Sequence, residues 1–178
     1  MSSVRLDELK QIQAMQHETA EGYYLGIDPG RDKTGLALVD KAGTVFAVRI
    51  VRTRTFSDGV LKFLYDHLQV SNTWGLRKNL MAITIGNGTG SEEHINCLKK
   101  ILPGFPLHVV DEKYSTEEAR TLYWELFPPK GWRRLIPLGL QTPPEPLDGY
   151  AAVVQVRRFL QQEETGTGKE LTIAEKQV

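Results

Sequence analysis

Three acidic residues stand where a folded chain could gather carboxylates: Asp28, Glu112 and Asp148. Asp28 ends an apolar stretch typical of a buried strand, where a carboxylate is costly to desolvate unless something compensates it. A hard cation is a common compensator of such a group. The alternative is that Asp28 only caps the following turn, through hydrogen bonds with its own backbone.

The residues after Asp28 predict a hairpin. Pro29 has no N–H to donate and Gly30 admits positive φ, so the two end the first strand. Residues 35–39 are almost wholly apolar and predict the return strand. The acid therefore lies where the first strand meets the loop.

The other two acids also lie at element ends. Glu112 follows a short predicted strand, and Asp148 opens the last predicted helix. If the strands lie side by side, Asp28 and Glu112 sit at neighbouring strand ends, where α/β sheets place their sites. The last helix could then bring Asp148 onto them.

The apolar pattern predicts an α/β layer sandwich with a mixed five-stranded sheet and helices on both faces. The first three strands are expected to be antiparallel. Predicted strands cover residues 23–28, 35–39, 45–53, 80–85 and 107–110. Predicted helices cover residues 55–70, 91–102, 115–127 and 147–160, with a Ser91 N-cap, a polar connection over 71–79 and an irregular proline-rich segment over 128–146.

The chain divides into a main domain and two flanking segments. Residues 1–21 predict an amphipathic helix whose apolar stripe must pack on the domain or on a second copy, as a homodimer. Residues 22–161 form the predicted domain, and residues 162–178 are a polar tail expected to be disordered. The stripe consists of Leu6, Leu9, Ile12 and Met15.

Composition narrows the class of protein. Lys plus Arg equals Asp plus Glu at 22 each, so a nucleic-acid surface must come from local clustering. The single Cys97 excludes a disulfide framework and a cysteine-cluster metal site. No apolar run approaches membrane-spanning length, and the N-terminal residues are too charged for a secretory signal. A cytoplasmic protein without membrane contact is expected.

A glycine-rich loop follows the fourth predicted strand. Gly86, Asn87 and Gly88 lead into a helix, an arrangement that can present backbone N–H groups to an anion. The loop lacks the lysine of a P-loop, and the alternative is a simple tight turn. With Gly30, these residues are the predicted backbone lining of a substrate site.

Three segments together resemble the ribonuclease H-like superfamily, in particular its YqgF/RuvC-like branch. Residues 25–30 (LGIDPG), followed by Thr34 and Gly35, look like the first-strand motif of that branch. Residues 110–119 (VDEKYSTEEA) resemble its Asp-Glu-Arg-x-x-Thr-x-Glu-Ala segment, with Lys113 in place of Arg. Residues 148–152 (DGYAA) resemble the start of its last helix. The glycine loop is closer to the ribonuclease H-like domain of Tex transcription-accessory proteins.

The resemblance implies a divalent-metal-dependent nuclease. Asp28, Glu112 and Asp148 would hold Mg²⁺ or Mn²⁺, as two ions, with Asp28 bridging them. Such ions can activate a water and stabilise the leaving oxygen of a phosphodiester. The implied substrate is a structured nucleic acid, either Holliday junction-like DNA or a ribosomal RNA precursor. Unlike RuvC-type resolvases, the chain has no fourth acid shortly after Asp148.

Local basic residues mark where a nucleic acid would lie. Trp132, Arg133 and Arg134 could stack on a base and pair with phosphates, and Lys113 and Arg120 flank Glu112. The alternative is solvated surface charge, with Trp132 fixing its loop to the core. A second basic run comprises Arg49, Arg52 and Arg54, whereas Arg157 and Arg158 are interpreted as surface charge on the last helix.

Two other functions fit parts of the pattern. Sugar or acetate kinase-like proteins also carry an Asp-x-Gly hairpin, but they need two such domains and this chain has room for one. A non-catalytic binding module that keeps the fold is the stronger rival. Retention of all three acids favours the nuclease.

Overall fold

The computed structural model describes residues 22–88, 90–111, 113 and 115–166. The predicted N-terminal helix and most of the predicted tail lie outside these residues, as does Glu112. Among the helices in these ranges, none combines the length and the apolar character needed to cross a membrane.

The centre of the molecule is a mixed sheet of five strands in the order β3-β2-β1-β4-β5. β1 pairs antiparallel with β2, and β2 pairs antiparallel with β3. β4 and β5 continue the sheet in parallel on the other side of β1. The strands are β1 Tyr23–Asp28, β2 Lys33–Asp40, β3 Val45–Arg52, β4 Leu80–Gly86 and β5 Leu107–Val110.

Helices cover both faces of this sheet, so the predicted α/β sandwich around a mixed five-stranded sheet is confirmed. They are α1 Phe56–Leu68, α2 Thr73–Asn79, α3 Ser91–Ile101, α4 Ser115–Leu126 and α5 Asp148–Thr165. Two short 3-10 segments, Gly131–Leu135 and Leu138–Leu140, interrupt the proline-rich segment.

Alternation along the strands produces two separate cores. One core joins Leu25, Ile27, Leu36 and Leu38 of the central strands to the apolar faces of α1 and α3. The other joins the opposite sheet face, including Ala37 and Val39, to α4 and α5. Because α5 is buried along most of its length, it is the element that fixes the second layer to the sheet.

Glycines let α5 approach the sheet very closely. A Cβ at Gly26 of β1 would overlap the Ala152 carbonyl oxygen, and a Cβ at Gly35 of β2 would overlap that of Asp148. Gly149 of the helix would in turn place a Cβ 3.3 Å from the Val48 Cβ. These small residues therefore set the distance between the helix and the central strands.

Several sequence-based expectations are wrong in detail. β4 lies between β1 and β5, so the strands that precede Asp28 and Glu112 are not neighbours. The predicted polar connection contains α2, which begins after Asn72, whose Oδ1 accepts from the Gly75 N–H at 2.9 Å. The N-cap of α3 is Gly90 rather than Ser91, and α5 continues to Thr165.

Candidate active site

Asp28 is the last residue of β1, the middle strand of the sheet, and its side chain is half-buried. One carboxylate oxygen, Oδ1, accepts a hydrogen bond from Nε2 of Gln155 at 3.0 Å. The chain turns directly afterwards, through Pro29 and Gly30, as the sequence predicts. The carboxylate is thus held by a side chain from α5 rather than only by its own turn.

The main chain of Asp148 lies close to that of Asp28, with Gly35 between them. Gly35 is the cross-strand partner of Asp28 in the β1–β2 ladder. The position of a Cβ on Gly35 falls on the backbone carbonyl of Asp148, the first residue of α5. One glycine therefore separates the main chains of the two acids, and both side chains are half-buried.

Gln155 lies seven residues after Asp148, two turns further along the same helix face. Its side chain is 0% exposed. Its Oε1 is buried and has no hydrogen-bond partner among the described residues. Because a carboxylate can only accept, the amide must point its N–H₂ at Asp28, which leaves Oε1 on the apolar side.

Glu112 lies outside the described residues, so its place at the site stays a prediction. Its neighbours Asp111 and Lys113 are described and exposed, and they follow β5. The Lys113 N–H donates to Oδ1 of Asp111 at 3.1 Å. The backbone carbonyls of both residues accept hydrogen bonds from Arg158 of α5, each at 2.6 Å.

The glycine loop joins the ends of β4 and β5. The Asn87 N–H donates to the Val110 carbonyl at 3.0 Å, and its side-chain amide lies 3.5 Å from Oδ1 of Asp111. Gly86 is buried as the last residue of β4, and Gly88 accepts from the Ser91 N–H at 3.1 Å. This loop therefore lies beside Asp111, next to Glu112 in the sequence. It is at the end of the sheet where the parallel strands β1, β4 and β5 finish, and where Asp28 also lies.

A chain of buried polar contacts fixes the turn after Asp28. The Thr53 hydroxyl donates to the Gly30 carbonyl at 2.7 Å and lies 3.0 Å from the Thr34 hydroxyl. Thr34 in turn contacts Nε2 of His94 at 3.0 Å, and Nδ1 of His94 donates to the Gly90 carbonyl at 2.7 Å. The turn is thereby tied to the start of α3, the helix that follows the glycine loop.

The predicted nucleic-acid residues of the proline-rich segment are exposed. Trp132 is 72% exposed, so the alternative in which it fixes the loop to the core is wrong. Gln141 instead holds the segment's own backbone together: it is 6% exposed, and its Nε2 donates to the carbonyls of Arg133 and Ile136 at 2.8 Å each. Arg133 and Arg134 lie on the same 3-10 segment, with their side chains at the surface.

The other basic residues differ in their surroundings. Arg120 is exposed on α4 and Lys113 is exposed after β5. Arg49 is paired with Asp66 at 3.3 Å and lies 5.3 Å from the centre of the Phe63 ring. Arg49 is therefore part of the packing of α1 on β3, whereas Arg52 is exposed at the end of that strand.

A buried phenol, that of Tyr150, lies in the first turn of α5, two residues after Asp148. Burial raises the pKa of the Tyr150 hydroxyl, and the nearby charge of Glu145 raises that pKa further. Tyr150 is consequently an uncharged phenol at neutral pH, packed edge-on against Tyr123. It adds no charge beside Asp148.

The carboxylates suit a hard divalent cation. Asp28 and Asp148 supply oxygen ligands, which Mg²⁺ and Mn²⁺ prefer. The described residues contain no group of three His, Cys, Asp or Glu able to hold a metal ion, and Glu112 is not among them. Among the described residues, Asp28 and Asp148 are the two predicted ligands whose carboxylate chemistry suits such an ion.

Comparison with known proteins gives structural likenesses of low identity. No protein-family model matches the chain, and no curated protein matches it. The chain is similar to T. thermophilus RuvC in complex with Holliday junction substrate, with TM-score 0.48, 15% identity, and coverage of 82% of this chain and 97% of that one. A second Thermus thermophilus RuvC structure gives TM-score 0.47, 16% identity, and coverage of 80% and 97%.

A more distant likeness is to a ROK family transcriptional regulator, a homolog of E. coli MLC protein. It has TM-score 0.36 and 18% identity, and it covers 60% of this chain and 31% of that one. Identities this low do not assign a function, which has to be argued from the residues of the site.

Sequence reasoning missed Gln155, Gln141 and Arg158. Gln155 carried a usable signal, because it is a polar residue inside an apolar run and shares a helix face with Asp148. The sequence gives no such signal for Gln141, because it lies in an irregular segment. It gives none for Arg158 either, because this residue follows another arginine near the polar end of the last helix. Arg157 and Arg158 were predicted to be plain surface charge, and both instead donate to backbone carbonyls.

Proposed function

We propose that the chain is a divalent-metal-dependent endonuclease of the YqgF/RuvC-like kind. It hydrolyses phosphodiester bonds in structured nucleic acid, a junction-like DNA or a ribosomal RNA precursor. The observation that carries this proposal is the single glycine, Gly35, between the main chains of Asp28 and Asp148. A cation would offset the repulsion between two half-buried carboxylates brought together at the end of β1 and the start of α5.

In this proposal Asp28, Asp148 and Glu112 hold Mg²⁺ or Mn²⁺ through carboxylate oxygens. The bound ions supply an activated water and charge stabilisation for the leaving oxygen of the phosphodiester. Gln155 keeps Asp28 in one rotamer, because its amide donates to Oδ1 from a fully buried position. The ligand oxygens are then oriented before substrate arrives.

Substrate binding is assigned to two surfaces. The exposed Trp132 offers a stacking face, and Arg133 and Arg134 beside it offer phosphate contacts. Lys113 and Arg120 supply further positive charge next to the segment that carries Glu112. The Gln141 contacts support this role, since they hold the backbone around Arg133 in one conformation, while the Trp132 ring is exposed to a base.

A cleavage assay tests the proposal. Four-way DNA junction, duplex DNA and structured RNA are incubated with Mg²⁺, Mn²⁺ or a chelator. We expect metal-dependent cleavage of a junction or structured RNA, and its loss in Asp28→Asn and Asp148→Asn. Asp32→Asn is the matched control, because Asp32 is an exposed acid in the turn just after Asp28. Two results would favour the non-catalytic binding module: no substrate is cleaved with either metal, or cleavage persists in both site variants.

A further inference from the structure

Arg158 of α5 makes an unusual set of contacts with the end of β5. Its Nη1 donates to the Asp111 carbonyl and its Nη2 to the Lys113 carbonyl, both at 2.6 Å. These two carbonyls belong to the residues on either side of position 112. The guanidinium therefore holds the main chain both before and after the residue predicted to complete the acidic site.

A carboxylate fixes the plane of this guanidinium. Glu118 of α4 accepts from Nη2 of Arg158 at 2.8 Å through Oε1, and from Nε at 3.2 Å through Oε2. This two-point pairing uses one edge of the guanidinium and leaves the remaining N–H groups aimed at the two carbonyls. The Arg158 side chain is 19% exposed and that of Glu118 is 52% exposed, so the guanidinium is the more enclosed partner of the pair.

The contacts of Arg158 depend on the shape of the arginine side chain. A planar guanidinium can donate to two carbonyls and a carboxylate at once, whereas the ammonium of lysine is a compact point charge with a different donor geometry. Arg157 next to it makes a simpler contact, a single hydrogen bond from Nε to the Gly43 carbonyl at 2.9 Å, in the turn between β2 and β3. The two neighbouring arginines thus serve different parts of the fold.

One helix thus carries one predicted acid and contacts the chain at or beside the other two. α5 begins with Asp148, holds Asp28 through Gln155, and holds the chain around position 112 through Arg158. We propose that Arg158, oriented by Glu118, is a positioning residue that sets the Glu112 carboxylate for metal binding. This inference rests on the proposed nuclease function. It assigns Arg158 a role in that function that involves no contact with the substrate.

The test compares Arg158→Lys and Glu118→Gln with Arg157→Lys as the matched control. In the metal-free protein, amide hydrogen exchange over residues 111–114 should be faster in Arg158→Lys and unchanged in Arg157→Lys. With Mg²⁺, Arg158→Lys should lower kcat and raise the Mg²⁺ concentration for half-maximal activity, each by about 10–100-fold. The KM for nucleic acid should change little, and Glu118→Gln should have a smaller effect of the same kind.

The outcomes separate the two proposals. A wild type that neither cleaves nor binds Mg²⁺ overturns the nuclease function and, with it, the positioning role. A wild type that cleaves while Arg158→Lys matches Arg157→Lys in Mg²⁺ dependence overturns the positioning role alone. Exchange over residues 111–114 that does not respond to Arg158→Lys also overturns it.

Discussion

Gln155 donates a hydrogen bond from Nε2 to Oδ1 of Asp28 at 3.0 Å, across 127 positions of sequence. The amide is 0% exposed, and its Oε1 has no partner in the described part of the chain. A buried polar atom without a partner costs free energy, so the contact with Asp28 must offset that cost. We infer that the role of Gln155 is to hold the Asp28 carboxylate.

Replacing Gln155 by Leu tests this contact. Removing the donor should lower the free energy of unfolding by about 1.5–3 kcal/mol, the range for a hydrogen bond to a charged group. Part of this loss is offset because the unpartnered Oε1 is also removed. Urea unfolding of Gln155→Leu, Asp28→Ala and the double variant measures the coupling between the two side chains. An equal loss for Gln155→Leu in both backgrounds would contradict the contact.

Gly35→Ala tests the approach of α5 to the sheet. The new Cβ would overlap the Asp148 carbonyl, so the start of the helix must shift, and overpacking should cost about 1–3 kcal/mol of stability. Gly139→Ala is the control, because Gly139 has nothing within 4 Å of its Cβ position and no positive φ. Thermal unfolding should show a lower midpoint for Gly35→Ala only, and equal midpoints would refute the close approach.

The two exposed tryptophans allow a matched test of substrate stacking. Trp132 is 72% exposed and Trp74 is 69% exposed. Trp74 precedes the glycine loop in the sequence and Trp132 follows it. Trp132→Ala should weaken nucleic-acid binding by about 1–3 kcal/mol, as expected for one stacked base, and should leave stabilisation by Mg²⁺ unchanged. Trp74→Ala should bind normally. Fluorescence anisotropy with labelled junction and RNA measures both, and equal affinities would argue against the assigned surface.

His67 predicts a pH dependence of stability. Burial lowers the pKa of this side chain below its usual 6.5, Arg49 lowers the pKa further, and Asp66 opposes both. Because the pKa of His67 is lower in the folded state, the unfolded chain takes up a proton first as the pH falls. The contribution of His67 to stability is therefore fully present above pH 6.5. It is lost as the pH falls below 6.5, until the folded protein also takes up the proton.

Unfolding free energies of wild type and His67→Gln, measured between about pH 7.5 and pH 5.5, test the histidine term. The difference between the two curves measures the contribution of His67 and of its interactions with Arg49 and Asp66. The wild type should lose more stability than the variant over this range. Parallel curves would contradict the predicted contribution.

Much of the fold follows from local pattern. Apolar alternation and the Pro29–Gly30 break predict the central hairpin, and the same signals place Asp28 at a strand end. The spatial order of strands does not follow from local pattern, because β4 enters between β1 and β5 only through crossover connections. That is why the strand ends before Asp28 and Glu112 were wrongly expected to be neighbours.

The supporting residues of the site depend on how α5 crosses the sheet. Gln155 meets Asp28, and Arg158 meets the end of β5, only because Gly26 and Gly35 allow that helix to lie close. Sequence identifies acids by their places at element ends, but it does not show which distant side chain will hold them. Buried amides and guanidinium contacts of this kind become visible only in the folded structure.

The central claim is that Asp28 belongs to a divalent-cation site, and the most direct test is metal-induced thermal stabilisation. Mg²⁺ at about 100 times its dissociation constant should stabilise the wild type and Asp32→Asn by about 2.7 kcal/mol. Asp28→Asn keeps the shape of the side chain but removes its charge, so most of this stabilisation should disappear. Equal stabilisation of wild type and Asp28→Asn by Mg²⁺ would contradict the claim and favour a non-catalytic binding module.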